Sequence, residues 1–143
     1  MPIPDRIERT LTLAHPQKKV WDALTTEEGL NGWFGDRVEA YDLRPGGQID
    51  MRWGDELSTL WIKLVEPPHR FAFTWAITGL PADDPRRTYI EFTLEPDGDN
   101  TKLNVVESGF AQLPDEMLSA FTGNTEGWQK ELSDLVIYLD ASD

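Results

Sequence analysis

The chain has 143 residues, no cysteine, and 26 acidic against 13 basic residues, for a formal charge of −13. That length is about one domain and can bury roughly 68–70% of its unfolded surface without staples, and the missing thiols exclude disulfides, thiolate metal ligands and cysteine nucleophiles. A surface this acidic repels nucleic-acid phosphates and anionic membranes; it serves solubility and leaves one further option, docking of a basic protein partner. The first residues, Met1-Pro2-Ile3-Pro4-Asp5, lack the basic and apolar regions of a secretion signal, and no apolar run approaches the ~20 residues of a membrane span, so a soluble cytoplasmic protein without membrane insertion is expected.

In chain order, residues 7–13 alternate as a strand, with Ile7, Arg9, Leu11 and Leu13 on one side. Pro16 suits the first turn of a helix carrying Val20, Trp21 and Leu24, with His15 at its N-cap. Thr25 and Glu28 have the spacing of a capping box, which opens a second short helix holding Leu30, Trp33 and Phe34. Pro45-Gly46-Gly47 turns into a strand with Ile49, Met51 and Trp53 on one face. Residues 57–66 carry apolar side chains on both parities (Leu60, Ile62 and Leu64 against Leu57 and Trp61), so their faces stay unassigned. After Pro67-Pro68, Phe71, Phe73, Trp75 and Ile77 alternate cleanly. A polar loop, 79–87, leads to a strand with Ile90, Phe92 and Leu94 inward, and Pro96-Asp97-Gly98-Asp99 has the composition of a hairpin turn.

The last strand, 101–108, places Leu103, Val105 and Glu107 on one parity before Gly109-Phe110 and Pro114. A long amphipathic helix follows, with Leu118, Phe121, Thr125, Trp128, Leu132, Leu135 and Leu139 recurring at spacings of three and four. That stripe must be buried, and the only large apolar surface available is a curved antiparallel sheet. The pattern is that of one α+β domain over residues 1–143, with no repeat or linker. A sheet gripping a long helix encloses a small apolar molecule as readily as a solid core.

Candidate site residues follow from that geometry. Trp33, Phe34, Trp53, Phe73, Trp75, Phe92, Phe110 and Trp128 are the broad, rigid side chains that either fill such a core or wall a pocket for a small, largely apolar ligand. Glu107, on the inward parity, would supply the pocket's polarity, as an orienting hydrogen-bond partner or as the acid/base group of an enzyme. No cofactor or metal is called for: His15 and His69 belong to no metal-ligand spacing, Asp97-Gly98-Asp99-Asn100 lacks the ligand pattern of a calcium loop, and Ser108-Gly109 sits in no nucleophile elbow.

The succession His15-Pro16-Gln17-Lys18-Lys19-Val20-Trp21, Trp33, Pro45-Gly46-Gly47, Val65-Glu66-Pro67-Pro68-His69-Arg70-Phe71-Ala72-Phe73-Thr74-Trp75, Thr101-Lys102-Leu103, Glu107-Ser108-Gly109-Phe110 and Gly127-Trp128 spans nearly the whole chain. In order and spacing it resembles the family named for homologues of the activator of heat-shock protein 90 ATPase, within the START-like, birch-pollen-allergen-like (SRPBCC) superfamily. The resemblance implies a helix-grip fold: a curved antiparallel sheet around the C-terminal helix, with two short helices after the first strand. It also implies a choice of roles, since relatives in the superfamily bind lipids, sterols and polyketides or act as cyclases and dehydratases, and the eponymous protein is a co-chaperone of the stress response.

Overall fold

The computed structural model describes residues 3–81 and 83–141; Met1, Pro2, Ala82 of the polar loop, Ser142 and Asp143 lie outside the described residues. Seven strands form one antiparallel sheet in the order β1-β7-β6-β5-β4-β3-β2. They are β1 (Arg6–Leu13), β2 (Arg37–Tyr41), β3 (Gln48–Trp53), β4 (Glu56–Glu66), β5 (Arg70–Ala76), β6 (Arg87–Asp97) and β7 (Asn100–Ser108). Because β1 and β2 sit at opposite edges, the connection between them must cross the width of the sheet. Helices α1 (Gln17–Thr25) and α2 (Glu27–Trp33) make that crossing. The remaining strands follow one another as hairpins, and α3 (Leu118–Ala141) returns across the concave face after two short 3-10 turns, Phe110–Gln112 and Asp115–Met117.

The inward parities are those of the sequence. Ile49 and Met51 of β3, Phe71 and Phe73 of β5, Ile90, Phe92 and Leu94 of β6, and Leu103, Val105 and Glu107 of β7 are all buried. They share one hydrophobic core with Val20, Leu24 and Leu30 of the short helices and Trp128, Leu132, Leu135 and Leu139 of α3. At roughly 1.5–3 kcal/mol for each large apolar side chain removed from water, this layer is the main favourable term of the fold. Among the described residues no helix is long and apolar enough to cross a membrane.

Five details differ from expectation or go beyond it, each for a local reason. The N-cap of α1 is Pro16 rather than His15, whose ring instead meets Asp140 near the end of α3 at 2.8 Å. The α2 cap is Thr26, whose hydroxyl accepts from the Gly29 N–H at 2.9 Å; Thr25 is the last residue of α1 and donates back to the Trp21 carbonyl. Gly29 permits that tight joint, since a Cβ there would lie 2.5 Å from the Asp22 carbonyl oxygen. The double parity of β4 has two sources: Leu57 is 51% exposed and Trp61 lies under Arg87 on the face opposite Leu60 and Ile62, and a bulge, where Ile62 pairs with Phe73 but Leu64 with Ala72, changes the inward phase at Lys63. Leu118 is 47% exposed, because a stripe repeating every 3.5 residues drifts about 20° per heptad around a straight helix and has left the core three heptads from Leu139. Strand β2 escaped the pattern altogether: it is an edge strand on which Val38 packs against the core and Tyr41 is 37% exposed, and it is bulged against β3 at Glu39.

Candidate functional site

The central polar feature of the interior is Glu107, which has no exposed surface although it sits among apolar neighbours. A carboxylate there needs a donor for each lone pair. The indole N–H of Trp75 (β5) donates to Oε2 at 2.9 Å and that of Trp128 (α3) to Oε1 at 2.7 Å. The Thr88 hydroxyl (β6) donates to Oε2, and the Asn124 amide (α3) reaches Oε1 at 3.1 Å and Oε2 at 3.0 Å. Three strands and the helix are thus tied to one side chain, and both oxygens are fully engaged.

Those bonds fix the orientation of two indoles that wall a cavity. The cavity has a volume of about 330 Å³, is partly open to solvent, and lies between the N-terminal half of α3 and the far strands of the sheet. From the sheet come Trp53, Trp75 and Ala76, with Glu56, Ser58 and Thr78; from α3 come Asn124, Gly127, Trp128 and Glu131; Phe34, which ends α2, closes one side. Phe34 stacks on Trp75 with ring planes 5° apart and on Trp128 with planes 24° apart, while Trp53 stands edge-on to Phe34 at 80°. Gly127 contributes space: a Cβ added to it would meet nothing within 4 Å.

Of the expected site residues, Phe34, Trp53, Trp75 and Trp128 come together around this cavity. Phe73 and Phe92 pack against each other deeper in the core at a ring separation of 6.3 Å, each at most 2% exposed. Trp33 is buried with its N–H on the Ala23 carbonyl at 2.7 Å, and Phe110 packs edge-on against Phe121. Glu107 lies behind the cavity wall, bound to the wall's own donors.

Seven cavity residues were missed by sequence reasoning, Glu56, Ser58, Ala76, Thr78, Asn124, Gly127 and Glu131, and of these Glu131 has the most unusual surroundings. Its Oε2 atom is buried without a hydrogen-bond partner. Burial pushes its carboxyl above the usual carboxylate range; Asp134 and Asp36 act in the same direction, against Lys130 and the hydrogen bond from the Gly35 N–H. Gly35, at φ 66°, turns the chain after Phe34 so that this N–H can reach helix α3. The signal was present: Glu131 stands three residues after Trp128 and four before Leu135, on the apolar stripe itself.

A curved antiparallel sheet closed on a long C-terminal helix, with a cavity between them, defines a helix-grip protein. Residues 14–140 match the family described as Activator of Hsp90 ATPase homolog 1-like protein, and the chain belongs to that family. Among solved structures it is similar to MLL2253 from Mesorhizobium loti, at 24% identity over 96% of this chain and 98% of that one with a TM-score of 0.82. It is also similar to the Aha1 dimer from Colwellia psychrerythraea, at 20% identity over 95% of this chain and 96% of the other with a TM-score of 0.77. DynU16, a protein of the dynemicin biosynthetic locus, aligns at 23% identity and a TM-score of 0.79 over 96% of this chain, which spans about half (48%) of that longer one. These likenesses establish the shared fold. No curated protein matches the chain.

Proposed function

We infer that the protein binds a small, largely apolar molecule in the cavity between α3 and the sheet. The observation that carries this is the wall itself: Phe34, Trp53, Trp75 and Trp128 leave about 330 Å³ unfilled where a solid core would have closed it. Interiors pack to crystal-like density, and ligand sites are the usual exception. Glu107 acts here as a positioning residue, holding the indoles of Trp75 and Trp128 in one orientation.

The alternative, an enzyme using Glu107 as acid/base group, is less well supported. A general base must reach a substrate proton directly or through one water, and the acceptor sites of this carboxylate are taken by Trp75, Thr88, Asn124 and Trp128. Titration with fatty acids, sterols and flavonoid-like aromatics, followed through the emission of the six tryptophans, tests the binding reading. A saturable change with at least one class, lost in Gly127→Phe, is expected. No saturable change with any class would defeat it. A substrate whose turnover collapses in Glu107→Gln with its affinity intact would promote the enzyme instead.

A further inference from the structure

We propose that the molecule this cavity selects carries a positive charge: a one- or two-ring apolar body bearing a single protonated amine or quaternary ammonium group, held between the indole faces and the Glu131 carboxylate. The inference rests on the cavity-binding reading above and adds the ligand's charge.

The polar groups of the wall point to it. The N–H donors of Trp75, Trp128 and Asn124 are turned onto Glu107 and withdrawn from any ligand. What remains on the wall is one indole donor, the N–H of Trp53, against a larger set of acceptors: the carboxylates of Glu56 and Glu131 and the hydroxyls of Ser58 and Thr78. Among the described residues no lysine or arginine lines the cavity. Lys130 and Arg52, each next in sequence to a wall residue, face Asp134 at 2.8 Å and Glu39 at 3.8 Å. An anionic ligand would therefore meet two like charges and no compensating cation.

Glu131 supplies a second, independent argument. An acceptor oxygen buried without a partner is a standing cost, relieved when a donor arrives. Oε2 of Glu131 is such an atom, on a residue of the cavity wall, and because it has no accessible surface of its own a donor in the cavity reaches it through a turn of the carboxylate. The third argument is the ring set. Tryptophan faces are the strongest cation–π partners among side chains, and an aromatic enclosure with a carboxylate beside it is how proteins recognise ammonium groups. Here the part-buried indoles of Trp53 and Trp75 stand at 76° to each other on the wall, and Trp128 stacks on Trp75 with planes within 27°, the N–H edges of Trp75 and Trp128 held by Glu107. The overall charge of −13 draws a cation toward the molecule as a whole, and a volume of about 330 Å³, at the small end of ligand pockets, limits the body to one or two rings.

Three probes of one shape separate the possibilities: 2-phenylethylammonium, 2-phenylethanol and 3-phenylpropionate, titrated at neutral pH against the wild-type protein and Glu131→Gln, with binding read by calorimetry and tryptophan emission. The expected order is amine, then alcohol, then acid, with the amine about tenfold or more tighter than the alcohol, as a charge-assisted hydrogen bond with a cation–π contact would give. In Glu131→Gln that gap should shrink to about threefold or less while the alcohol's affinity stays within about twofold. The alcohol or the acid binding as tightly as the amine would overturn the charge assignment and leave the cavity reading standing; an undiminished gap in the variant would overturn the role given to Glu131. Failure of all three to bind would remove both. The ranking in the wild-type protein decides the matter by itself if the variant does not fold.

Discussion

The two ends of the grip use the same kind of residue and come out opposite. Toward the C-terminal half of α3, Phe71, Phe73 and Phe92 share a closed core with Leu132, Leu135 and Leu139, none of them more than 3% exposed. Toward its N-terminal half, Trp53 and Trp75 are only part-buried and border empty space, beside Phe34 and Trp128, which line the same cavity but are at most 3% exposed themselves. The strands supply alternating aromatics in both places. The helix differs: leucines stand against the sheet at one end, and Asn124 and Gly127 at the other. Side-chain volume on the helix, more than the aromatic content of the sheet, decides which end is core and which is cavity.

Truncations break or sustain that contrast most directly. Phe73→Ala, in the filled end, should lower stability by about 3–5 kcal/mol, whereas Trp53→Ala, on a wall that already lacks partners on one side, should cost about 1 kcal/mol. Urea unfolding of the two variants checks this, and equal losses would mean that the ends are packed alike. Next in size is Glu107→Gln, which keeps the shape but turns an amide N–H toward donors. It should destabilise by about 1–3 kcal/mol for each donor left unpaired and alter the near-ultraviolet circular dichroism of the tryptophans. An unchanged spectrum would show that the carboxylate does not hold the walls.

The two open glycines of α3 sharpen the comparison further. A Cβ at Gly123 or Gly127 meets nothing within 4 Å, but only Gly127 lines the cavity. Both Gly→Ala changes should stabilise by about 0.8–1 kcal/mol through helix propensity, measured as a rise in Tm. Only Gly127→Ala should also weaken binding of 2-phenylethanol.

The smallest effect is one of pH. Glu131 is pushed above the usual carboxylate range, mainly by burial, so between its unfolded and folded values the native state holds more protons than the unfolded chain. Stability then falls as pH rises through that window and stays reduced above it. Glu131→Gln should therefore unfold at a higher denaturant midpoint than the wild type at neutral pH, with the difference fading as pH falls and the wild-type carboxyl is protonated. A gap that widened in acid would reverse the assigned sign.

Much of this architecture could be read before the fold was known, because half-buried strands declare their inner faces by alternation. The inward run Leu103, Val105, Glu107 put a carboxylate inside the protein on periodicity alone. Its partners could not be read in the same way: Trp75, Thr88, Asn124 and Trp128 lie 17 to 32 residues away in sequence and meet it only through cross-strand register and helix docking. The cavity was half legible, since the wall aromatics were identifiable but their division between core and pocket turned on the glycine of α3. Strand β2 gave too little contrast between its faces, and in β4 an exposed Leu57, an outward Trp61 and a bulge at Lys63 blurred the alternation.

The most direct test of the cavity is a ¹H–¹⁵N spectrum of the indole N–H groups during titration with neutral 2-phenylethanol, because tryptophans stand both on the cavity and away from it. The account predicts saturable shifts for Trp53, Trp75 and Trp128, which line it, and unmoved signals for Trp21 on α1 and for Trp61, whose ring is covered by Arg87 at 3.6 Å. Shifts led by Trp21 or Trp61, or no saturable shift at all, would contradict it.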